Sequence, residues 1–388
     1  MQLIKEAKKL YRQEFGRGDL RYFFSHGRLE ILGNHTDHQG GVCIVGGVDL
    51  GITAAVCPNK DGAIRVVSEG FAPFMFHLDE LALKKGEAGT TISIFKGVLH
   101  YLKKYGYEIG GFSCALKSDL PHGSGLSSSA ALETLVCEIQ SALYNKGKVK
   151  DFDAAKISQK AGNDFFGKPC GLLDQVGTQY GGLRYLDFSG DIKIERIPYD
   201  LTLKVVVINP GSSHADLTDA YASIPADMTS VAKNLLGVER LCESDAKTYS
   251  EAVVRPCQAV SERAKLRAQH YYDECKRVED AKKALLEKDP ETFLQCIRLS
   301  QNSSNAFLAN TFLPGRYEKS PQEAVDVANK FIGHGACRIM GGGFAGSIIC
   351  FLYPTELDAF LQGVESVYGK ENVHLVNFVN GGPTEVGF

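Results

Sequence analysis

The sequence predicts an α+β protein made of two packed domains. Three observations predict it. The 388 residues exceed what a single hydrophobic core usually holds. Strand-like and helix-like segments are mixed without the strict alternation of a doubly wound parallel sheet. No period of about 20–50 residues recurs and no Pro/Ser-rich linker interrupts the chain, which excludes a solenoid and loosely strung modules. The boundary is expected near residues 185–200, which divides the chain into 1–190 and 191–388.

The elements follow from local patterns. The first residues, MQLIKEAKK, read as the start of an amphipathic helix rather than a signal peptide. Residues 27–41 are rich in turn formers and polar groups. Residues 43–56, 63–68 and 111–117 read as strands. Residues 91–105 place Ile92, Phe95, Val98, Leu99 and Leu102 on one helical face. Residues 128–144 do the same with Leu132, Leu135, Val136, Ile139 and Leu143. A third helix, 152–166, is stopped by Gly167 and Pro169. Strands follow at 183–188 and 203–210. Helices are then expected at 229–243, 258–288, 291–308 and 320–333, and strands at 347–353 and 373–379.

Composition narrows the function classes. Hydrophobic residues make up 44% and charged residues 23%, which suits a globular chain and excludes a disordered one. The net charge of −3 argues against nucleic acid as the main partner. Eleven scattered cysteines, an odd number with no C-x-x-C pair, point to a reducing, cytoplasmic location. No apolar run reaches the roughly 18 residues that cross a bilayer, so no membrane partner is expected.

Three glycine-rich segments carry possible chemistry. In LPHGSGLSSSAALE, Gly123, Gly125 and the serine triplet 127–129 lead into an amphipathic helix. Uncovered backbone N–H groups and a helix N-terminus make a phosphate cradle; the alternative is a turn with a serine cap. In MGGGFAGS, Gly341, Gly343 and Gly346 spell G-x-G-x-x-G, but a strand follows where a dinucleotide site needs a helix. A hairpin turn and a loop packed on a ligand's phosphates both remain. GNDFFGKP resembles G-x-x-x-x-G-K but ends in Pro169, so it reads as a helix end rather than a P-loop.

Two polar clusters stand out. GRLEILGNHTDHQGG gathers Arg28, Glu30, Asn34, His35, Asp37 and His38. Such a set suits sugar-hydroxyl recognition, a metal held by His35, Asp37 and His38, or a solvated loop. In CGLLDQ a single acid, Asp174, sits among apolar residues. It reads as an active-site base or as the structural partner of an arginine.

These segments, in this order, resemble the GHMP kinase superfamily, and within it the galactokinases most closely. GRLEILGNHTDHQGG is similar to their sugar-binding segment, LPHGSGLSSSAA to the phosphate loop, KPCGLLDQ to the segment with the catalytic acid, and MGGGFAGS to the third motif. The resemblance implies ATP and a sugar bound in an inter-domain cleft, and transfer of a phosphoryl group to the anomeric hydroxyl of galactose or a close relative. By the same resemblance Asp174 is the base and Arg28 the arginine that lowers its pKa. Asn34, His35, Asp37, Gly171 and Tyr221, seven residues after His214, are the sugar contacts. Gly123, Ser124, Gly125, Leu126, Ser127, Ser128 and Ser129 form the ATP cradle, with Gly342 and Gly343 from the third motif. Ser129 is the expected Mg²⁺ ligand. A monomer or weak homo-oligomer is expected.

The chain also departs from the family pattern. Asn34 stands where the family has Glu near the sugar's C6 hydroxyl, which implies tolerance of C6 changes, a galacturonate carboxylate included. His38 replaces a Tyr, and Ser25-His26 replaces Ala-Pro. Gly162 stands where many relatives have a Mg²⁺-binding Glu, which leaves Asp164 as the nearby carboxylate. The alternatives are a weak or inactive sugar- and ATP-binding protein, a galacturonate or amino-sugar 1-kinase, and a kinase of a non-sugar alcohol.

Overall fold

The computed structural model describes residues 2–121, 123–168, 170–212 and 217–387. The first part contains α1 (Gln2–Phe15), β1 (Arg21–Leu32), β2 (Val42–Pro58), β3 (Ala63–Ser68), β4 (Phe71–His77), α2 (Thr91–Lys104), β5 (Phe112–Ser118), α3 (Ser128–Tyr144), α4 (Asp151–Ala161), α5 (Leu173–Tyr180), β6 (Leu183–Asp187) and β7 (Lys193–Ile197). The second contains β8 (Lys204–Ile208), α6 (Thr218–Val231), α7 (Ala246–Val253), α8 (Glu262–Glu287), α9 (Pro290–Ser303), α10 (Pro321–Ala328), β9 (Ala336–Ile339), β10 (Ile348–Leu352), α11 (Leu357–Tyr368), β11 (Val373–Val376) and β12 (Thr384–Val386).

Two sheets organise these elements. An eight-stranded sheet runs β12-β1-β2-β5-β3-β4, with β6 on β2 and β7 on β6. Among the described residues, only β3 and β5 are parallel neighbours in it. The second sheet is four-stranded and antiparallel, β11-β8-β10-β9. The first sheet therefore runs to Ile197 and takes back residues 384–386 at its edge. One apolar core joins both parts: Phe23, Leu29 and Ile31 of β1 share it with Val205 and Val207 of β8, Ile349 of β10 and Val278 of α8. Among the described residues no helix is long and apolar enough to cross a membrane.

Some elements differ from the sequence reading, for identifiable reasons. Residues 27–32, read as turn-rich, belong to the twelve-residue strand β1. Arg28 and Glu30 are buried there together with Leu29 and Ile31, so the period-2 alternation of a half-exposed strand is absent. The helix expected at 229–243 starts eleven residues earlier, at Thr218. Pro225 lies inside it, and Gly237 in a left-handed conformation (φ +70) ends the wider turn 232–236 that continues it. The helix expected over 152–166 is α4 plus a wider turn at 162–166, closed by Gly167. Strands β4, β7, β9 and β12 and helices α5, α7 and α11 had no separate signal.

Three connections position the site. The turn 33–41 joins β1 to β2. The loop 119–127 leads from β5 into α3. The loop 340–347 joins β9 to the antiparallel β10, so the G-x-G-x-x-G lies in a strand-to-strand connection.

Candidate active site

Asp174 lies in the first turn of α5, where the helix dipole favours a negative charge. The helix packs on β1, and Gly177 permits the close approach: a Cβ there would stand 2.8 Å from the Arg28 Cβ. Arg28 projects from β1 and donates to Asp174 Oδ1 twice, from Nε at 2.9 Å and from Nη2 at 2.7 Å. The third guanidinium nitrogen, Nη1, donates to the Gly125 carbonyl at 2.6 Å. Ser127 Oγ donates to the other carboxylate oxygen, Oδ2, at 2.8 Å. One carboxylate thus links β1, α5 and the serine-rich loop.

Opposing influences set its charge. Burial pushes the Asp174 carboxyl up, but Arg28, Lys168 and the Ser127 hydrogen bond outweigh it and hold the group below the ordinary carboxylate range. Asp37 behaves oppositely: burial, aided by the Asp174 charge, raises it to about 6. Its carboxylate lies against Gly171, where any side chain would collide with it. Two acids with separated titrations, one firmly ionised, share this region.

The turn 33–41 is held by buried polar groups. His35 is left-handed (φ +57) and half-buried. Its Nε2 donates to the Gly342 carbonyl at 3.0 Å, and burial lowers its pKa to about 4. His38 lies edge-on to His35 with ring centres 5.7 Å apart. Among the described residues no three His, Cys, Asp or Glu side chains are grouped to hold a metal. Asn34 is fully buried. Its amide donates to Glu30 Oε1 at 2.8 Å and to the Gly341 carbonyl, and its oxygen accepts from Asn310 Nδ2 at 2.8 Å. Neither amide hydrogen is left for a C6 substituent in this conformation.

The loop 340–347 faces the same turn. Tyr221 on α6 donates its hydroxyl to the Gly343 carbonyl at 2.9 Å, and its ring lies where a Cβ on Gly342 would stand. Gly343 is left-handed (φ +76), and a Cβ there would run into the Asn310 carbonyl oxygen. His214 lies outside the described residues.

The serine-rich loop leaves the start of α3 uncapped. Gly123 and Gly125 are left-handed (φ +69 and +70), and Ser127 joins them at φ +58. Ser127 holds the N-cap position of α3, yet its side chain makes no cap bond to the first turn. The first-turn N–H groups of a seventeen-residue helix thus lack that partner. Ser124 Oγ donates back to the Pro121 carbonyl at 2.7 Å, and Leu126 is buried; both shape the loop from within. Gly123 and Ser128 are exposed and Ser129 is half-buried. Asp164 is exposed on the 162–166 turn, which packs on α3, and accepts a hydrogen bond from Tyr101.

Residues outside the motifs complete the region. On α8, His270 Nε2 donates to the Asn34 carbonyl at 3.0 Å. Glu274, one helical turn on, accepts from Gly33 N–H at 3.0 Å and from Ser300 at 2.7 Å. Arg338 is fully buried and donates to the Ile31 carbonyl at 2.8 Å. Glu133 is buried on α3 and accepts from Gln175 Nε2 at 3.0 Å; burial raises it to about 8. Sequence pattern offers no handle on these, because a charge on the inner face of a helix looks like one on its solvent face.

Known proteins resemble this chain in sequence and in fold. The family description "GHMP kinases N terminal domain" matches residues 93–182, and "Galactokinase galactose-binding signature" matches residues 9–58. The galactokinase of Clostridium tetani is 27% identical over 95% of this chain and 93% of its own length. That of Clostridium perfringens is 29% identical over 99% and 100%. The solved structure of Lactococcus lactis galactokinase complexed with galactose superposes with a TM-score of 0.87, at 25% identity and full coverage of both chains. The chain is thus similar to galactokinases over nearly its whole length, in sequence and in fold. Within the superfamily fold, Methanococcus jannaschii mevalonate kinase superposes with a TM-score of 0.68 at 16% identity, over 94% of this chain and all of that one. Arg28 lies in the stretch matched by the galactokinase signature, whereas Ser127 and Asp174 lie in the stretch matched by the GHMP kinase domain. Their hydrogen bonds join the two matched stretches at one carboxylate.

Proposed function

We propose that this chain is an ATP-dependent sugar 1-kinase that converts galactose or a close relative to its 1-phosphate. One observation carries the reading: Asp174 is bonded at once to Arg28 of the sugar-signature strand and to Ser127 of the anion loop. A hydroxyl acceptor at Oδ2 then lies beside a loop able to hold the donor's phosphates. Phosphoryl transfer depends mainly on positioning and charge stabilisation, and a carboxylate need only accept the hydroxyl proton as the new bond forms. An ionised, low-pKa Asp174 suits that task. Arg28, held in place by Asp174 and Gly125, orients the acid and keeps it charged. Asp37, His35, Gly171 and Tyr221 are assigned to the sugar, and residues 123–126, Ser128 and Ser129 with Gly342 and Gly343 to ATP.

The loop fits ATP, because its left-handed glycines and uncapped helix start leave backbone donors for phosphates. The oxygen donors nearby fit Mg²⁺, an ion that keeps several waters and needs few protein ligands. Ser129 would hold it directly and Asp164 through water, the bond from Tyr101 leaving lone pairs on that carboxylate free to accept from such a water. Bound there, Mg²⁺ would neutralise charge on the phosphates. Eleven unpaired cysteines support a reducing cytoplasm.

The test is ADP release from ATP and Mg²⁺ with a panel of hexoses, amino sugars and uronic acids. Turnover with galactose or a C6- or C2-modified relative supports the reading. Bound ATP and sugar without ADP release for any member would make this a binding protein and overturn it.

A further inference from the structure

Ser127 has one hydroxyl proton. That proton is donated to Asp174 Oδ2, and so is not available to a phosphate in the same geometry. The backbone holds the serine in this orientation. Ser127 is left-handed (φ 58, ψ 53), a conformation that disfavours side chains, and it is only 8% exposed. The loop on either side is tied to the same arginine: Arg28 N–H donates to the Leu126 carbonyl at 3.1 Å, and Arg28 Nη1 to the Gly125 carbonyl. The next two serines face outward, Ser128 exposed and Ser129 half-buried.

We propose that Ser127 is a positioning residue for Asp174 and not a phosphate ligand. This rests on the kinase reading above. A carboxylate offers about four lone-pair positions. Arg28 fills two on Oδ1 and Ser127 one on Oδ2, so one position on Oδ2 stays open for the sugar hydroxyl. In the reaction, the sugar O–H bond breaks and its proton passes to that position. The sugar oxygen bonds the γ-phosphorus, and the bond from that phosphorus to the bridging oxygen breaks, releasing ADP. The serine fixes which lone pair is open, and the phosphates are left to backbone N–H groups, Ser128 and Ser129.

Ser127→Gly is the primary variant, because glycine accepts the left-handed backbone while removing the hydroxyl; Ser127→Ala is its companion. Three quantities are read: kcat with galactose, the calorimetric affinity for a non-hydrolysable ATP analogue, and the pH dependence of kcat/KM for the sugar. Expected for Ser127→Gly is a fall in kcat of about tenfold, the size of one hydrogen bond to a charged group. Analogue affinity stays within about twofold, since no phosphate contact is lost. The acid limb moves up, because the lost bond favoured the ionised form. The charged or titratable groups acting on or beside Asp174 — Arg28, Lys168, Asp37, Glu133 and Cys170 — are unchanged. Ser128→Ala weakens the analogue instead. Analogue affinity lost with kcat retained, or a lower kcat with an unmoved acid limb, overturns the proposal. The parent enzyme's turnover of galactose, measured alongside, tests the kinase reading separately.

Discussion

Replacing Arg28 by methionine tests the electrostatics on which the site depends. The substitution keeps a long apolar stem but removes both hydrogen bonds to Asp174 and the one to the Gly125 carbonyl. The side chains are 6% and 18% exposed, so solvent replaces little of what is lost. Breaking a buried pair by removing one partner costs about 3–5 kcal/mol, and the partial access of Asp174 puts this case near about 3. The sign with pH follows from the carboxyl. In the parent it is held below its unfolded value of about 3.9, so its stabilising contribution is present above that value and lost as pH falls through the folded pKa. In Arg28→Met burial dominates and the folded pKa rises above the unfolded one. The orphaned charge then destabilises at high pH and is relieved by protonation as pH falls. Urea unfolding of parent and variant at pH 8 and pH 5 should therefore give a larger gap at pH 8. A gap under about 1 kcal/mol, or one equal at both pH values, would refute the reasoning.

Further predictions concern turnover, acid stability and metal dependence. Asp174→Asn should lower kcat by about 10²- to 10⁴-fold, the usual contribution of a positioned acid or base, with sugar affinity by calorimetry little changed; a loss of affinity with kcat intact would remove Asp174 as proton acceptor. Burial pushes Glu274 up, but His270, Arg277 and Arg338, with the Ser300 bond, bring it down to about 2. Its contribution to stability is present above the unfolded value of about 4.3 and lost as pH falls towards 2. Glu274→Gln should flatten that part of the acid-unfolding curve, and an unchanged curve would deny Glu274 the role. Asp164→Ala should raise the Mg²⁺ concentration needed for half-maximal turnover, and an unshifted Mg²⁺ titration would assign the ion elsewhere.

How legible the molecule was depended on where each side chain finds its partner. Helix α3 was readable residue for residue, because Leu132, Leu135, Val136 and Ile139 bury one face against the sheet. The glycine-rich connection 340–347 was readable as something other than a dinucleotide site, because the order of strand and loop is local information. Strand β1 was not readable over 27–32, because Arg28 and Glu30 face the interior and find partners 146 and 308 residues away, in Asp174 and Arg338. The boundaries of α6 were missed because a proline stayed inside the helix and a wider turn, closed by a later glycine, followed it.

By itself the sequence determined the mixed α/β character, most of the regular segments and the ordered motifs that mark the galactokinase family, since backbone conformation and short-range spacing are encoded nearby. The tertiary structure alone decided what those polar groups do. It turned the Asn34 amide into the 340–347 loop, brought His270 and Glu274 of α8 under the 33–41 turn, and directed the Ser127 hydroxyl to Asp174. The reason is physical: a hydroxyl or amide has only one or two hydrogens, and which acceptor takes them depends on chains brought together by packing, far apart in sequence.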